Sequence, residues 1–408
     1  RPRPAGACAA GHDSTRIVLD MSGISGIPEI LHEEDGWRMR LARPADNARL
    51  CGLFREVDMS ADLCLAEERD PDFFALHRAQ SPQSYSVILE DSTQTDRPAF
   101  GCASILARDA WYGTEIRRVG YACDLRIENG FRGARVFPTV IDKFMSFMQA
   151  HEGIDLMYSA VLSSNQRGRN ALLNQNSKRA GQPVGQVMTP YNMTSIQFVG
   201  ARMPSDPRVQ RAQDADRAAL VEFLAEQQKQ RLFGYVVDDA WFQSRLDQWP
   251  GMRLEDFFLL KSGDGRILAC AAPWDTAAHL RRSRVIKYQG KMQWLRMAYN
   301  AEARLRGFAK LPVPGDCFHF VYLTHLEVSD DQPALLDALL CGIYNALREQ
   351  PWHFMSLMVP IGSPLEAGLK RFRLQRMAME LLAFSNARSS WHGRSLSTLR
   401  PGFEMALH

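Results

Sequence analysis

Apolar and polar residues change rhythm repeatedly along the chain. Residues 37–42 alternate, with Trp37, Met39 and Leu41 set against Arg38, Arg40 and Ala42, and a period of two predicts a strand. Pro44-Ala45-Asp46 then opens a helix with Asp46 in place to cap it, and Leu50, Leu53, Phe54 and Val57 recur at helical spacing. A second helix is predicted over 71–78, where Asp70 or Asp72 can cap. Strands follow at 84–89 and 99–106, joined by a polar turn at 90–98, and a longer strand at 117–127. A polar loop with two glycines covers 128–134. Helix 137–148 sets Val140, Ile141, Phe144 and Met148 on one face; strand 155–162 and helix 165–173 come next, and 184–188 with 191–198 closes a sheet.

After Met203-Pro204-Ser205-Asp206-Pro207, which reads as a linker, the order recurs. A strand at 209–210 leads to Gln213-Asp214-Ala215-Asp216, which mirrors Pro44-Ala45-Asp46, and Leu220, Phe223 and Leu224 continue as a helix. Ser262-Gly263-Asp264-Gly265 is a hairpin turn between strands 257–261 and 267–272. Strand 318–328, helix 334–347, strand 353–359, helix 365–372 and the segments 377–384 and 404–407 complete the chain. The pattern predicts an α/β (α+β) fold made by duplication. Two modules at 37–203 and 204–408 each carry a mixed, mostly antiparallel twisted sheet flanked by helices.

Length agrees, since 408 residues correspond to about two or three domains. With 46% hydrophobic and 23% charged residues the composition is that of a globular protein, which excludes a fibrous or wholly disordered chain. No apolar run approaches the roughly 20 residues of a membrane-spanning helix. Residues 1–36, rich in Pro, Gly and small residues, are expected to be a disordered tail without the pattern of a secretory signal. The net charge of +3 does not argue for nucleic acid. The eight cysteines show no C-x-x-C spacing, and the ten histidines no H-E-x-x-H, so no metal site is expected. The cysteines read as small buried hydrophobes in a reducing compartment, hence a cytoplasmic location.

The strand and loop Tyr121-Ala122-Cys123-Asp124-Leu125-Arg126-Ile127-Glu128-Asn129-Gly130-Phe131-Arg132-Gly133-Ala134-Arg135-Val136 carry a resemblance. The first module resembles the GNAT superfamily of acyl-CoA N-acyltransferases, in which a Gly-rich loop after a central splayed strand wraps the pyrophosphate of acyl-CoA at a helix start. Phe131-Arg132-Gly133 matches the opening of that loop, whereas Arg135 and Phe137 stand at its two later glycine positions. The resemblance implies acetyl-CoA or another acyl-CoA as co-substrate. The backbone of Leu125, Arg126 and Ile127 would lie along the pantetheine, and Phe131, Arg132, Gly133, Ala134, Arg135 and Val136 around the phosphates. Free amides at a helix start bind phosphate whatever the side chains, and Arg132 and Arg135 add charge-assisted bonds. Asn165, after the next strand, would sit beside the pantetheine arm; the same residue also suits a plain N-cap. The tyrosine that the family often uses as general acid has no counterpart between Tyr158 and Tyr191.

The second module lacks the loop. Ser329-Asp330-Asp331-Gln332-Pro333 puts two acids where the pyrophosphate would sit, so this copy is expected not to bind CoA well. Asp124, the ionisable group nearest the reacting thioester, is the candidate catalytic base. Cys123 reads as a structural thiol. His319 and His325, six apart on one strand, are expected on the same face. In 281–310, nine basic residues face Glu302 alone, and apolar positions recur at near-helical spacing. This insertion reads as an amphipathic helix packed on its own domain, or one meeting an anionic surface such as lipid or an acyl carrier protein. The expected activity is N-acyl transfer from acyl-CoA to a small-molecule or peptide amine. The alternative is a non-catalytic acyl-CoA-binding or scaffold protein with degenerate folds.

Overall fold

The computed structural model describes residues 29–56, 62–93, 99–128, 133–173, 183–386 and 389–408. In the first half the chain forms β1 (Ile30–Glu34), β2 (Trp37–Leu41), α1 (Asn47–Glu56), β3 (Leu63–Glu68), α2 (Ala75–Gln80), β4 (Gln83–Asp91), β5 (Gly101–Tyr112), β6 (Glu115–Ile127), α3 (Gly133–Glu152), β7 (Leu156–Leu162), α4 (Gln166–Leu173) and β8 (Val184–Gln197). The second half forms β9 (Val209–Arg211), α5 (Arg217–Lys229), β10 (Gly234–Tyr235), α6 (Asp239–Gln248), β11 (Phe258–Lys261), β12 (Ile267–Trp274), β13 (Arg282–Tyr288), α7 (Lys291–Arg306), β14 (Phe320–Val328), α8 (Pro333–Leu347), β15 (Phe354–Pro360) and β16 (Leu374–Ser385). The repeat of order is therefore present as structure. Its most local sign is the 3-10 turn before each first helix: Asp46 bonds back to the Arg43 amide at 2.8 Å, and Asp216 to the Gln213 amide at 3.1 Å.

Three expectations are corrected. The expected tail at 1–36 does not hold at its end, because Ile30–Glu34 is a strand that pairs with β2; residues 1–28 lie outside the described residues. The basic insertion is only half helical, since Arg282–Tyr288 pairs antiparallel with β3 in a separate two-stranded sheet. Residues 365–372 hold a short 3-10 segment, Pro364–Leu369, rather than an α-helix.

All the other strands belong to one 14-stranded sheet. Its central order is β6-β7-β16-β8-β15-β14. The closing strand of each half thus pairs with the parallel strand of the other: β16 lies along β7, and β8 lies along β15. The two closing strands pair with each other from Leu374↔Ile196 to Ser385↔Val184. The sheet runs without a break from one half of the chain to the other. α3 covers one half with buried Val140, Phe144 and Met148 against Ile105 and Met157, and α8 covers the other with Leu336, Leu340 and Ile343 against Leu323 and Leu357.

A buried ion cluster pins the first turn to β4. Arg40 bonds Asp46 at 2.7 and 2.8 Å and Glu90 at 2.8 Å, and Arg38 and Arg49 add bonds to Glu90 at 2.5 and 2.9 Å. Burial alone would raise the carboxyls of Asp46 and Glu90, but the arginine bonds outweigh it and hold both low. Removing one partner strands a buried charge, so Arg40→Met is expected to cost ~3 kcal/mol, read as a lower urea midpoint at unchanged slope. Both folded carboxyl pKa values are depressed, so their stabilisation is present above the unfolded value of ~4 and is lost as pH falls below it. The melting temperature of the parent should therefore drop below about pH 4 more steeply than that of the variant.

Candidate active site

β6 pairs with β5 along its length but with β7 only at Gly120↔Met157 and Tyr121↔Tyr158. Beyond Tyr121 no backbone pairing joins these two parallel strands. The register with β5 slips between Cys102 and Ser104, and Asp124 lies within the slip at φ 55°. Two residues of β6 there oppose one of β5, which is a bulge, and Asp is among the side chains that tolerate this left-handed backbone. Gly101 makes the closure after the bulge feasible, because a Cβ at that position would meet Arg126 O at 2.7 Å.

The bulge turns the Asp124 carboxylate into a buried cluster. Arg69 Nη2 donates to its Oδ1 at 2.7 Å, and His77 Nε2 lies 2.5 Å from its Oδ2. Arg69 also donates to Glu67 at 2.7 Å and lies over the Phe54 ring, with its guanidinium 4.8 Å from the centroid. Burial would raise the Asp124 carboxyl, but Arg69 and then His77 override it and hold it well below the usual carboxylate range. A carboxylate so stabilised in its ionised form is a poor acceptor for an amine proton, which counts against the expected role of Asp124 as base. Its geometry suits orienting His77 instead. His77 is fully buried, and its Nδ1 has no hydrogen-bond partner among the described residues. His77, Cys123 and Asp124 offer donor atoms within 4.8 Å of one another. Arg69 already supplies the cation of that group, so a metal ion would have to displace it.

Further back along β6, the Tyr121 hydroxyl hydrogen-bonds His408 Nδ1. Burial, and then Arg281, push the His408 imidazole down to about 4. Next to this pair is a cavity of about 20 Å³, room for about one water, between Tyr121, Tyr158 and Arg108 of the first half and Tyr235, Glu404 and Leu407 of the second. Arg108 spans the halves through bonds to Tyr158 Oη at 2.8 Å, Phe233 O at 2.6 Å and Gly402 O at 2.9 Å.

The second copy repeats the backbone device. β14 pairs with β15 only over Phe320–Tyr322, its register with β12 slips between Cys270 and Ala272, and His325 sits there at φ 51°. The surroundings differ. The His325 amide donates to Glu404 Oε2 at 2.9 Å, and Glu327 is buried with Arg231 and Gln228. His325 is enclosed by the rings of Trp241, Trp249 and Phe257. Glu327 and Val328 are buried, 2% and 1% exposed, where Arg126 and Ile127 of β6 are half-buried, and Leu326 is half-buried where Leu125 is 41% exposed. The bulge also breaks the strand's parity, so His319 and His325 do not share a site: His319 stacks on His353 with ring centroids 5.9 Å apart.

Of the residues expected around the cofactor, Leu125, Arg126 and Ile127 lie on β6 past its last pairing with β7 while Arg126 and Ile127 still pair with β5, and Gly133, Ala134, Arg135 and Val136 form the first turn of α3. Phe131 and Arg132 lie outside the described residues. Asn165 caps α4 by accepting from the Gly168 amide at 3.0 Å. Sequence reading missed Arg69, His77, Tyr121 and His408. A signal existed for the bulges: Tyr121-x-x-Asp124-Leu125-x-Ile127 and Tyr322-x-x-His325-Leu326-x-Val328 are the same pattern, with a poor strand former in the middle.

The fold is one shared with solved structures of an N-myristoyltransferase and a GCN5-related N-acetyltransferase. The chain is similar to N-myristoyltransferase of Saccharomyces cerevisiae, solved with bound myristoyl-CoA and inhibitors: TM-score 0.58, 10% identity, 92% of this chain and 88% of that one. It is likewise similar to a GCN5-related N-acetyltransferase of Sphaerobacter thermophilus: TM-score 0.54, 12% identity, 90% and 100%. No protein-family model matches the chain, and no curated protein matches it in sequence.

Burial pushes the Glu404 carboxyl up to about 7, well above the ~4.3 of an unfolded chain. Its contribution is therefore present below about pH 4 and is lost as pH rises through about 7. Glu404→Gln keeps an acceptor for the His325 amide and cannot ionise. It is expected to raise the melting temperature at about pH 8 and to do so much less at about pH 5; equal shifts would show that the carboxyl is not raised.

Proposed function

We propose that the chain is an acyl-CoA-dependent N-acyltransferase whose first copy holds the donor and whose acceptor is an amine of a small molecule or peptide. The observation that carries this reading is the contrast between the two bulges. Past the bulge of β6, Leu125 is exposed and Arg126 and Ile127 are half-buried, whereas the amide of the β14 bulge is capped by Glu404 and Glu327 and Val328 are buried. In this reading the pantetheine lies along Leu125, Arg126 and Ile127 as an added strand. The pyrophosphate meets the start of α3 with Arg132 and Arg135, and Asn165 flanks the arm.

The thioester carbonyl would accept a hydrogen bond from a backbone amide of the bulge, where negative charge develops during attack. The amine nitrogen bonds to the carbonyl carbon, the carbon–sulfur bond breaks, and the amine's proton must leave. Two imidazoles flank β6. His408 is weakened as a base by burial. His77 has Nε2 held by Asp124 and no partner at Nδ1 among the described residues, so the carboxylate fixes the ring's orientation and leaves one nitrogen uncommitted. His77 is therefore assigned as the proton acceptor and Asp124 as its positioning partner; the proton ends on the departing thiolate.

His77→Gln is expected to lower kcat by on the order of 10²-fold or more with acyl-CoA affinity unchanged. Arg132→Glu with Gly133→Glu is expected to abolish acyl-CoA binding and leave the fold intact. The measurements are calorimetric titration with acyl-CoAs from acetyl to myristoyl, followed by thiol release across a panel of amines. Tight binding without turnover on any amine would favour a non-catalytic acyl-CoA binder, and absence of binding would overturn the assignment of the first copy.

A further inference from the structure

α7 is amphipathic in an unusual sense, because its apolar residues face outward as well as inward. The inner face is short. Tyr299 and Ala303 are buried in a small cluster with Val199, and Asn300 bonds the Leu311 amide at 2.8 Å. At 3.6 residues per turn, Trp294, Met297, Ala298, Ala301 and Leu305 share the opposite face. They are open to solvent: Trp294 is 72% exposed, Met297 62% and Leu305 87%, with Leu295 beside them at 57%. Helices that pack on a protein bury their apolar stripe. Here a second stripe is left uncovered on a helix already anchored by the first.

The borders of that stripe are cationic. Arg304 lies on one side and Lys291 and Arg306 on the other, and Lys287 and Lys310 stand exposed near the two ends of the helix. Between residues 287 and 310 there are six basic residues and one acid, a net charge of +5. The acid, Glu302, is already engaged by Arg306 at 2.6 Å and by Arg373 at 2.8 Å. Val313, just past the helix, adds a further exposed apolar side chain.

We propose that α7 is a docking surface for an anionic lipid bilayer, lying in the interface with Trp294 and Leu305 inserted and Lys291, Arg304 and Arg306 against the headgroups. Three features favour lipid over a protein partner. The apolar surface is a single helix ridge rather than a groove. Cations flank it on both sides, the arrangement that lets long basic stems rise to the headgroups while their neighbours enter the acyl region. A tryptophan in the stripe suits the boundary between apolar and wet layers. The inference is independent of the acyltransferase reading, because it rests on a surface of the insertion and not on the β6 bulge.

The test is flotation of the full chain, without acyl-CoA, with vesicles of phosphatidylcholine alone or carrying about 30% phosphatidylglycerol. Binding to the anionic vesicles should exceed that to the neutral ones by on the order of tenfold, and should fall when NaCl is raised to about 0.5 M. Trp294→Glu with Leu305→Glu should reduce binding to the neutral-vesicle level, and Lys291→Glu with Arg304→Glu should remove the preference for anionic lipid. All four side chains are exposed, so melting temperatures should match the parent and confirm that each variant folds. Equal binding to both vesicle types, or retention by Trp294→Glu/Leu305→Glu, would overturn the proposal. So would sedimentation showing a parent dimer that this variant splits, since a second copy would then be what covers the stripe.

Discussion

The antiparallel pairing of β8 with β16 is the contact on which the rest of the architecture depends. It runs through the middle of the sheet, and each of its strands carries the other half's parallel strand on its outer edge. Neither half can complete its sheet alone. The exchange also fixes where the last residues of the chain lie, between the halves and beside β6. From that arrangement follow the contact of Tyr121 with His408 and the reach of Arg108 to Phe233 and Gly402. The candidate site is therefore a product of both copies, although only one copy offers an open strand.

The two bulges show how one backbone device acquires different chemistry from its neighbours. Each places a polar side chain in the left-handed region, a local cost of about 1–2 kcal/mol that the surrounding structure must offset. At Asp124 the offset is ionic, with a guanidinium and an imidazole sharing one carboxylate. At His325 it is aromatic, and burial drives that imidazole down to about 3, so it stays neutral among Trp241, Trp249 and Phe257. Glu327 and Glu404 complete the second environment. Further on, Asp330 and Asp331 stand just before α8, where negative groups oppose a diphosphate, whereas the first copy has Arg132 and Arg135 in the corresponding stretch of sequence.

Local periodicity announced most of the elements, because alternation and helical spacing follow from which face of an element is buried. The order of the two halves was legible for the same reason. Pairing was not: β16 carries the alternation of any half-buried strand, and nothing in it specifies β7 and β8 rather than β15 and β14. The same limit applied to the site. Asp124 stood out as an acid in an apolar strand, but its partners Arg69 and His77 are 55 and 47 residues away. An isolated arginine after a short strand looks solvated until tertiary packing buries it. The basic insertion misled because its first part, Arg282–Tyr288, mixes apolar and charged residues without clean alternation; its partner strand β3 decides its conformation.

The exchanged strands also bear on how the molecule is made. A ribosome delivers β7 well before β16, so the edge of β7 that β16 will cover stays open while the entire second half is synthesised. Exposed edges of that kind are the surfaces through which unfinished chains associate. The first half must therefore wait in an unsealed state, held by α3 and its own antiparallel strands. Chaperone demand should concentrate in that interval rather than after release.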